Sequence, residues 1–308
     1  MENTKYPHQK KGLIYAGITA FFWGFLAIFI KMAVAQVTPQ TLVWFRFVVA
    51  FIILLAFFVI YRPKDLSILI RPPWLLILTA GVLALNYFGF ANGVKYTSPN
   101  NAQVFIQSGA MLLAVAGVVV FKEKLTRSQL LGYGVAGAGF YLFYSDQIEG
   151  FGNGQSEYIK GVIWTLIGGV SWTLYAVLQK FLVRDHPTQK LNLFIFGFCT
   201  LLYLPTTDFS FHLEASWTIW VLLIFLGLNT LIAYGCLAEA LKYAEATKIS
   251  VIITLNPIIT FVTTGIFTAF HIPWIDPEYF TVKSILGAAF VISGVIMVIL
   301  KKSGKRNG

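Results

Sequence analysis

The chain repeats itself, and each copy holds an odd number of apolar segments long enough to cross a bilayer. Gly12, Trp23 and Lys31 return at the same spacing as Gly161, Trp172 and Lys180. Lys95-Tyr96 returns as Lys242-Tyr243, and Gly132 with Gly139 returns as Gly287 with Gly294. A helical span needs about 20 mostly apolar residues, and each half contains about five such stretches. Five crossings start the second copy on the side opposite the first, so the two copies must lie upside down relative to each other. Halves related in this way can trade an inward-open for an outward-open shape, which is why inverted repeats recur in carriers.

Composition agrees with a chain that lives in lipid. Hydrophobic residues make up 57% and charged residues 12%, against about 25% charged in soluble domains. The net charge of +10 is spread over short segments between apolar runs, not gathered on one face, which disfavours nucleic acid as a partner. Cys199 and Cys236 both sit in apolar stretches and read as small hydrophobes, not as a disulfide or a metal site. Lys5, Lys10 and Lys11 precede an apolar run of about 23 residues with no small-residue cleavage site after it, so a retained first helix is expected in place of a removed signal.

The predicted fold is all-α and integral to the membrane, with ten transmembrane helices as two inverted five-helix repeats. The spans are expected near 12–34, 41–61, 74–94, 101–121, 128–144, 160–182, 190–205, 217–238, 248–270 and 283–300. Prolines 39, 63, 72, 73, 99, 187, 205 and 273 punctuate their boundaries. A cytoplasmic N-terminal tail (1–11) leads into the first repeat (12–144). An external linker (145–159) with Gly150, Gly152 and Gly154 joins it to the second repeat (160–300), and a basic cytoplasmic tail (301–308) follows. Eighteen Lys and Arg residues fall on one side of this arrangement, while the other side receives Lys95, Lys160 and Lys283, with Lys31 near a helix end. The positive-inside rule then puts both termini in the cytoplasm, in agreement with an even number of crossings.

Several residues do not belong in hydrocarbon. Arg46 is the charged residue clearly inside a span; insertion of Arg near the bilayer centre costs at least ~2.5 kcal/mol, so it should face a cavity or a partner. It could anchor a substrate carboxylate or phosphate, or it could snorkel to the interface and brace a neighbouring helix. Trp23-Gly24 and Trp172-Thr173 sit at mid-span, where Trp is unusual; they either border a substrate cavity or pack over a small neighbour. Pro257 interrupts the ninth span after Thr254 and Asn256, removing a backbone hydrogen bond, and such breaks are tolerated where the freed backbone is protein-buried or lines a cavity. Counted from the Lys-Tyr pairs, Pro257 falls opposite Ala110, so the fourth span carries Gln107-Ser108-Gly109 where a matching break would be, and Gly109 is the candidate hinge there. Gln103, Gln107, Ser108, Thr254 and Asn256 are candidate polar cavity residues, each of which could equally make an ordinary interhelical hydrogen bond. Asn86, Tyr87 and Asn92 in the third span, with Asn229 and Tyr234 in the eighth, form a second polar set. Gly132, Gly134, Gly137 and Gly139 with Gly287 and Gly294 suit close helix contact.

These residues resemble the drug/metabolite transporter superfamily, in particular its EamA family. The likeness lies in Trp23-Gly24, in Arg46, and in the run from Tyr96 through Phe121-Lys122-Glu123 to Gly132 and Gly139. The second half adds Asn256-Pro257 and the Gly287 to Gly294 block. The resemblance implies a ten-helix inverted-repeat fold with a central cavity that moves amino acids, related metabolites or drugs, often outward. The chain departs from the family in lacking the proline usual in the fourth span and in having Phe270-His271 where Glu123 would have its counterpart.

The functional expectation is a carrier in the bacterial inner membrane that moves a small amphipathic metabolite by alternating access. The alternative is a flippase or a carrier of a lipid-linked intermediate; a multidrug exporter or a membrane enzyme fits less well. The histidines 8, 186, 212 and 271 are scattered, no span holds a carboxylate pair, and no His-Glu-x-x-His helix is present, so neither catalysis, a cofactor nor a metal is expected. The five aspartates fall outside the spans and only Glu239 lies against one, which suggests a facilitative carrier or coupling through Glu239 or a tyrosine. The expected partners are a small-molecule substrate and the lipid bilayer, with a monomer as the default assembly.

Overall fold

In this computed structural model the described residues are 6–149, 156–210, 216–271 and 281–300. The glycines of the expected linker and the basic 301–308 tail lie outside them. The first half runs α1 (Gln9–Val34), α2 (Pro39–Tyr61), a short α3 (Ser67–Ile70), α4 (Trp74–Tyr96), α5 (Pro99–Val119) and α6 (Arg127–Glu149). The second half runs α7 (Ser156–Leu182), α8 (Thr188–Tyr203), α9 (Trp217–Tyr243), α10 (Ala246–Ile253), α11 (Asn256–Ala269) and α12 (Val282–Leu300).

Helix starts follow local chemistry. Thr38 and Ser98 each cap the helix after them, accepting from the Thr41 N–H at 3.2 Å and the Asn101 N–H at 3.1 Å, with Pro39 and Pro99 in the first turn. A proline there loses no helical hydrogen bond, and its fixed φ suits the turn. The residues that follow α5 and α11 turn back through the left-handed region, Lys122 at φ 55° and His271 at φ 53°. This is a common way for a helix to stop.

Eight helical segments are long and apolar enough to cross a membrane, counting α10 and α11 together as 246–269. The two expected spans that fall short among the described residues are α8 and α6. The first is only 16 residues long; the second carries four glycines along with polar residues.

The halves interleave. Helix α1 packs on α9, and its repeat counterpart α7 packs on α4; α2 pairs with α8, and α6 pairs with α12. Exchanging the two halves maps this contact pattern onto itself, and the repeated residues sit at its key contacts. A methyl group added at Gly12 would lie 2.7 Å from Ala244 Cβ, and one at Gly161 would lie 2.7 Å from Thr97 Cγ2. Each repeated glycine therefore admits the end of the other half's Lys-Tyr helix. The repeated lysines terminate those same helices from within their own half. Lys31 Nζ donates to Val94 O (3.2 Å) and Thr97 O (2.6 Å), and Lys180 Nζ donates to Leu241 O (3.1 Å) and Ala244 O (2.6 Å). An ammonium at a helix C-terminus satisfies orphan carbonyls and complements the helix dipole. Lys180 and Lys248, counted by sequence among the basic loops, are both buried instead.

Candidate functional site

Repeat-related aromatic residues meet at the centre of the molecule. The Trp23 and Trp172 rings stand edge to face with centroids 5.8 Å apart, and Tyr87 and Tyr234 lie 5.3 Å apart. Tyr234 also contacts Trp23 at 5.1 Å. Around them is a cavity of about 50 Å³ whose walls include Trp23, Arg46, Asn86, Tyr87, Gln107, Trp172, Tyr234 and Asn256. Gln103 and the apolar Leu26, Phe90, Ile106, Ala110 and Ile253 complete the lining. That volume admits a few waters, so the site is narrow in this conformation.

Arg46 is 2% exposed, two turns into α2. Its Nε donates to Thr230 Oγ1 at 3.1 Å, and its guanidinium carbon stands 4.2 Å from the centre of the Tyr87 ring. Among the described residues no carboxylate pairs with it. Burying an ion costs several kcal/mol. A desolvated cation–π contact and one hydrogen bond to a charged group offset roughly 3–5 kcal/mol of this. Those contacts hold the guanidinium in place without neutralising it, so the cavity wall keeps a positive potential.

The cavity also offers unused hydrogen-bonding groups. Trp23 Nε1, Trp172 Nε1 and Gln107 Oε1 are buried with no partner, and leaving a buried polar atom unmade costs ~1–3 kcal/mol. Other polar atoms are committed to holding the walls. Gln103 Nε2 donates to Trp23 O (2.9 Å), Asn86 Nδ2 to Gly168 O (3.0 Å), and Tyr234 Oη to Asn86 Oδ1 (3.1 Å).

The break between α10 and α11 falls at residues 254–255, with Pro257 in the first turn of α11. Asn256, its amide assigned so that the nitrogen faces carbonyls, donates to Ala20 O and to Ile253 O, each at 3.0 Å. The side chain thus takes up a carbonyl at the end of α10 while tying the break to α1. Thr260 Oγ1 fastens α11 to Gly24 O at 2.6 Å. The other half differs: α5 runs unbroken through Gly109. A methyl there would stand 2.7 Å from Gly169 O, so Gly109 admits α7.

Three candidate residues lie off the cavity. Ser108 faces Gly169 at the α5–α7 contact. Asn229 Nδ2 donates to Phe22 O at 2.8 Å, and Thr254 Oγ1 donates to Val251 O at 2.6 Å. Thr230, which holds Arg46, escaped the sequence reading; its position one residue after Asn229 was the available signal.

At the α1 N-terminal end, the buried Glu123 carboxylate accepts from the first N–H groups of α10, Ala246 at 2.8 Å and Thr247 at 2.9 Å, with Lys180 Nζ 3.9 Å away. Beside it, Glu245 pairs with Lys248 at 3.0 Å, and Gln9 bridges both. Burial, followed by the Glu123 and Glu245 carboxylates, pushes the nearby Tyr6 phenol up to about 12, so it stays neutral. At the opposite end, Asn100 Nδ2 donates to Thr264 Oγ1 at 3.2 Å. Nothing in the sequence around Glu123 marks it for this contact, which joins residues more than 120 positions apart. The half-buried Glu239 accepts a hydrogen bond from Thr188, away from the central cavity.

The model of the EamA-like transporter family matches the chain twice, over residues 10–145 and 159–300. The chain belongs to the EamA-like transporter family. An uncharacterized transporter of Haemophilus influenzae is 33% identical over 93% of this chain and 94% of its own length. The uncharacterized inner membrane transporter YhbE of Escherichia coli is 31% identical over 92% and 90%. A probable amino-acid metabolite efflux pump of Salmonella typhimurium is 24% identical over 93% and 94%. A solved crystal structure shares the fold, with a TM-score of 0.74 over 94% of this chain and 97% of that one, at 18% identity. The protein is a membrane transporter of the EamA family.

Proposed function

We propose that this EamA-family protein is a bacterial inner-membrane carrier for a small carboxylated amphipathic metabolite, of the amino-acid class, exported by alternating access. In this reading two inverted five-helix repeats rock about the central cavity, and both termini face the cytoplasm. The observation that carries it is Arg46: a buried, positioned guanidinium on a cavity wall with no carboxylate partner among the described residues. Arg46 takes the substrate carboxylate, and the indole N–H groups of Trp23 and Trp172 with the Gln107 carbonyl take its polar groups. The aromatic rings cover its apolar part. Support for the cargo class comes from the Salmonella relative's name, and support for two exchanging halves from the contact pattern that survives their exchange. The narrow cavity of about 50 Å³ widens as its walls part around cargo, and the break at residues 254–255 supplies a joint in one wall.

Uptake into proteoliposomes of a panel of amino acids and small organic acids, with and without a pH gradient, tests the proposal. Saturable transport of carboxylated compounds is expected, and Arg46→Ala abolishes it while the protein still elutes as a folded species. Equal loss for neutral substrates would remove the anchor role. A flat panel from folded wild-type protein would overturn the cargo class.

A further inference from the structure

A second, larger cavity of about 500 Å³ opens between α5, α6 and α10, separate from the central site except for the shared Ala110. We propose that it is a binding groove for one acyl chain of an anionic phospholipid whose headgroup sits on Lys122, Lys124 and Arg127. Three observations fit this occupant together. The groove's walls are apolar, from Met111, Val115 and Val118 on α5 to Leu130 and Phe140 on α6. Its few polar side chains are already satisfied: Ser250 and Tyr133 are bonded to Thr247 O, and Thr254 is bonded to Val251 O. Nothing in the groove asks for a polar ligand.

Length agrees as well. From Ala110 to Val119 the α5 wall rises roughly 13 Å at 1.5 Å per residue, close to the depth of one leaflet in a hydrocarbon core of about 30 Å. Charge stands at the right end. Beyond Val119 the chain turns at Lys122, and Lys122, Lys124 and Arg127 are exposed while Glu123 between them is turned inward. None of the three forms an ion pair among the described residues. The groove thus runs from beside the central cavity to a cluster of three cations, which is the layout of a phospholipid with its phosphate at the surface. Gly137 forms part of the floor, and a methyl group there would meet nothing within 4 Å. Its missing side chain is space left for the ligand. The third wall is α10, the helix whose Ile253 borders the central cavity, so a lipid in the groove presses on the segment next to the break.

The test is native mass spectrometry of the full-length, detergent-purified protein titrated with phosphatidylglycerol or with phosphatidylcholine of the same acyl chains. Phosphatidylglycerol is expected to bind more tightly. Each of Lys122→Gln, Lys124→Gln and Arg127→Gln weakens it about five-fold, in line with the contribution of a basic residue at an anionic headgroup. Gly137→Leu fills the groove and removes the bound lipid of both headgroups. Gly134→Leu also points into open space, is not part of the groove lining, and leaves binding unchanged. Equal binding of the two lipids, or insensitivity to the glutamine substitutions, would overturn the headgroup assignment. Retention of phosphatidylglycerol by folded Gly137→Leu would overturn the groove.

Discussion

Lys31 and Lys180 occupy the same place in the two repeats, which makes each a control for the other. Both ammonium groups hold carbonyls at the end of a neighbouring helix. Lys180 also faces the Glu123 carboxylate at 3.9 Å, with both side chains 2% exposed. Lys31→Met removes hydrogen bonds at a partly exposed helix end, a loss of about 1–2 kcal/mol. Lys180→Met removes equivalent bonds and leaves a buried carboxylate with backbone N–H groups as its remaining partners, a loss of about 3–5 kcal/mol. At roughly 2–4 °C per kcal/mol, the apparent unfolding midpoint should fall by about 3–6 °C for Lys31→Met and by about 8–15 °C for Lys180→Met. Thermal unfolding in detergent at one scan rate, followed by intrinsic fluorescence, measures both. Adding Glu123→Gln to Lys180→Met should cost less than the sum of the two single changes by about 1–3 kcal/mol, because the pair shares one interaction. Strict additivity in the double variant would refute the reasoning.

Other consequences follow from close approach and from the unused donors. At Gly139 an added methyl would stand 2.6 Å from Phe290 Cβ and Val291 N, so Gly139→Leu must force α6 from α12 and lower stability by at least ~1–3 kcal/mol; Gly134→Leu, in open space, should leave the unfolding midpoint in place. Trp172→Phe deletes an indole N–H that has no acceptor in this conformation. Its midpoint should be unchanged or raised, while KM for the carboxylated cargo rises about ten-fold, the worth of one lost hydrogen bond; unchanged KM would show that the group does not meet cargo. Thr230→Val takes away the acceptor for Arg46 Nε, and proteoliposome uptake should show weaker saturation for carboxylated compounds with near-normal uptake of neutral ones.

Much of the fold can be read without coordinates because it follows from local and repetitive constraints. An apolar stretch must be helical in lipid to satisfy its own backbone, and the prolines at 39 and 99 mark first turns for reasons that involve only their neighbours. The repeated glycines and lysines were visible because exchange-related contacts make the same demand twice: Gly12 and Gly161 each admit the end of the other half's Lys-Tyr helix, and Lys31 and Lys180 each terminate that of their own half. Trp23, Trp172 and Arg46 stood out because their chemistry is out of place at mid-span. Polar residues that are ordinary in such a helix gave no comparable signal. Gln107 and Ser108 are adjacent, yet about 100° of helix rotation puts one on the cavity and the other against Gly169. Asn229 spends its amide on Phe22 O while Thr230 beside it holds Arg46. Glu123, four residues past the end of α5, reaches the N-terminus of α10 only because the two halves interleave. Hydropathy and repeat spacing thus decide that this chain is a helical membrane protein built from two repeats. Which polar atoms are left over to meet cargo is set by helix rotation and by the neighbour each side chain finds, and those are properties of the packed whole.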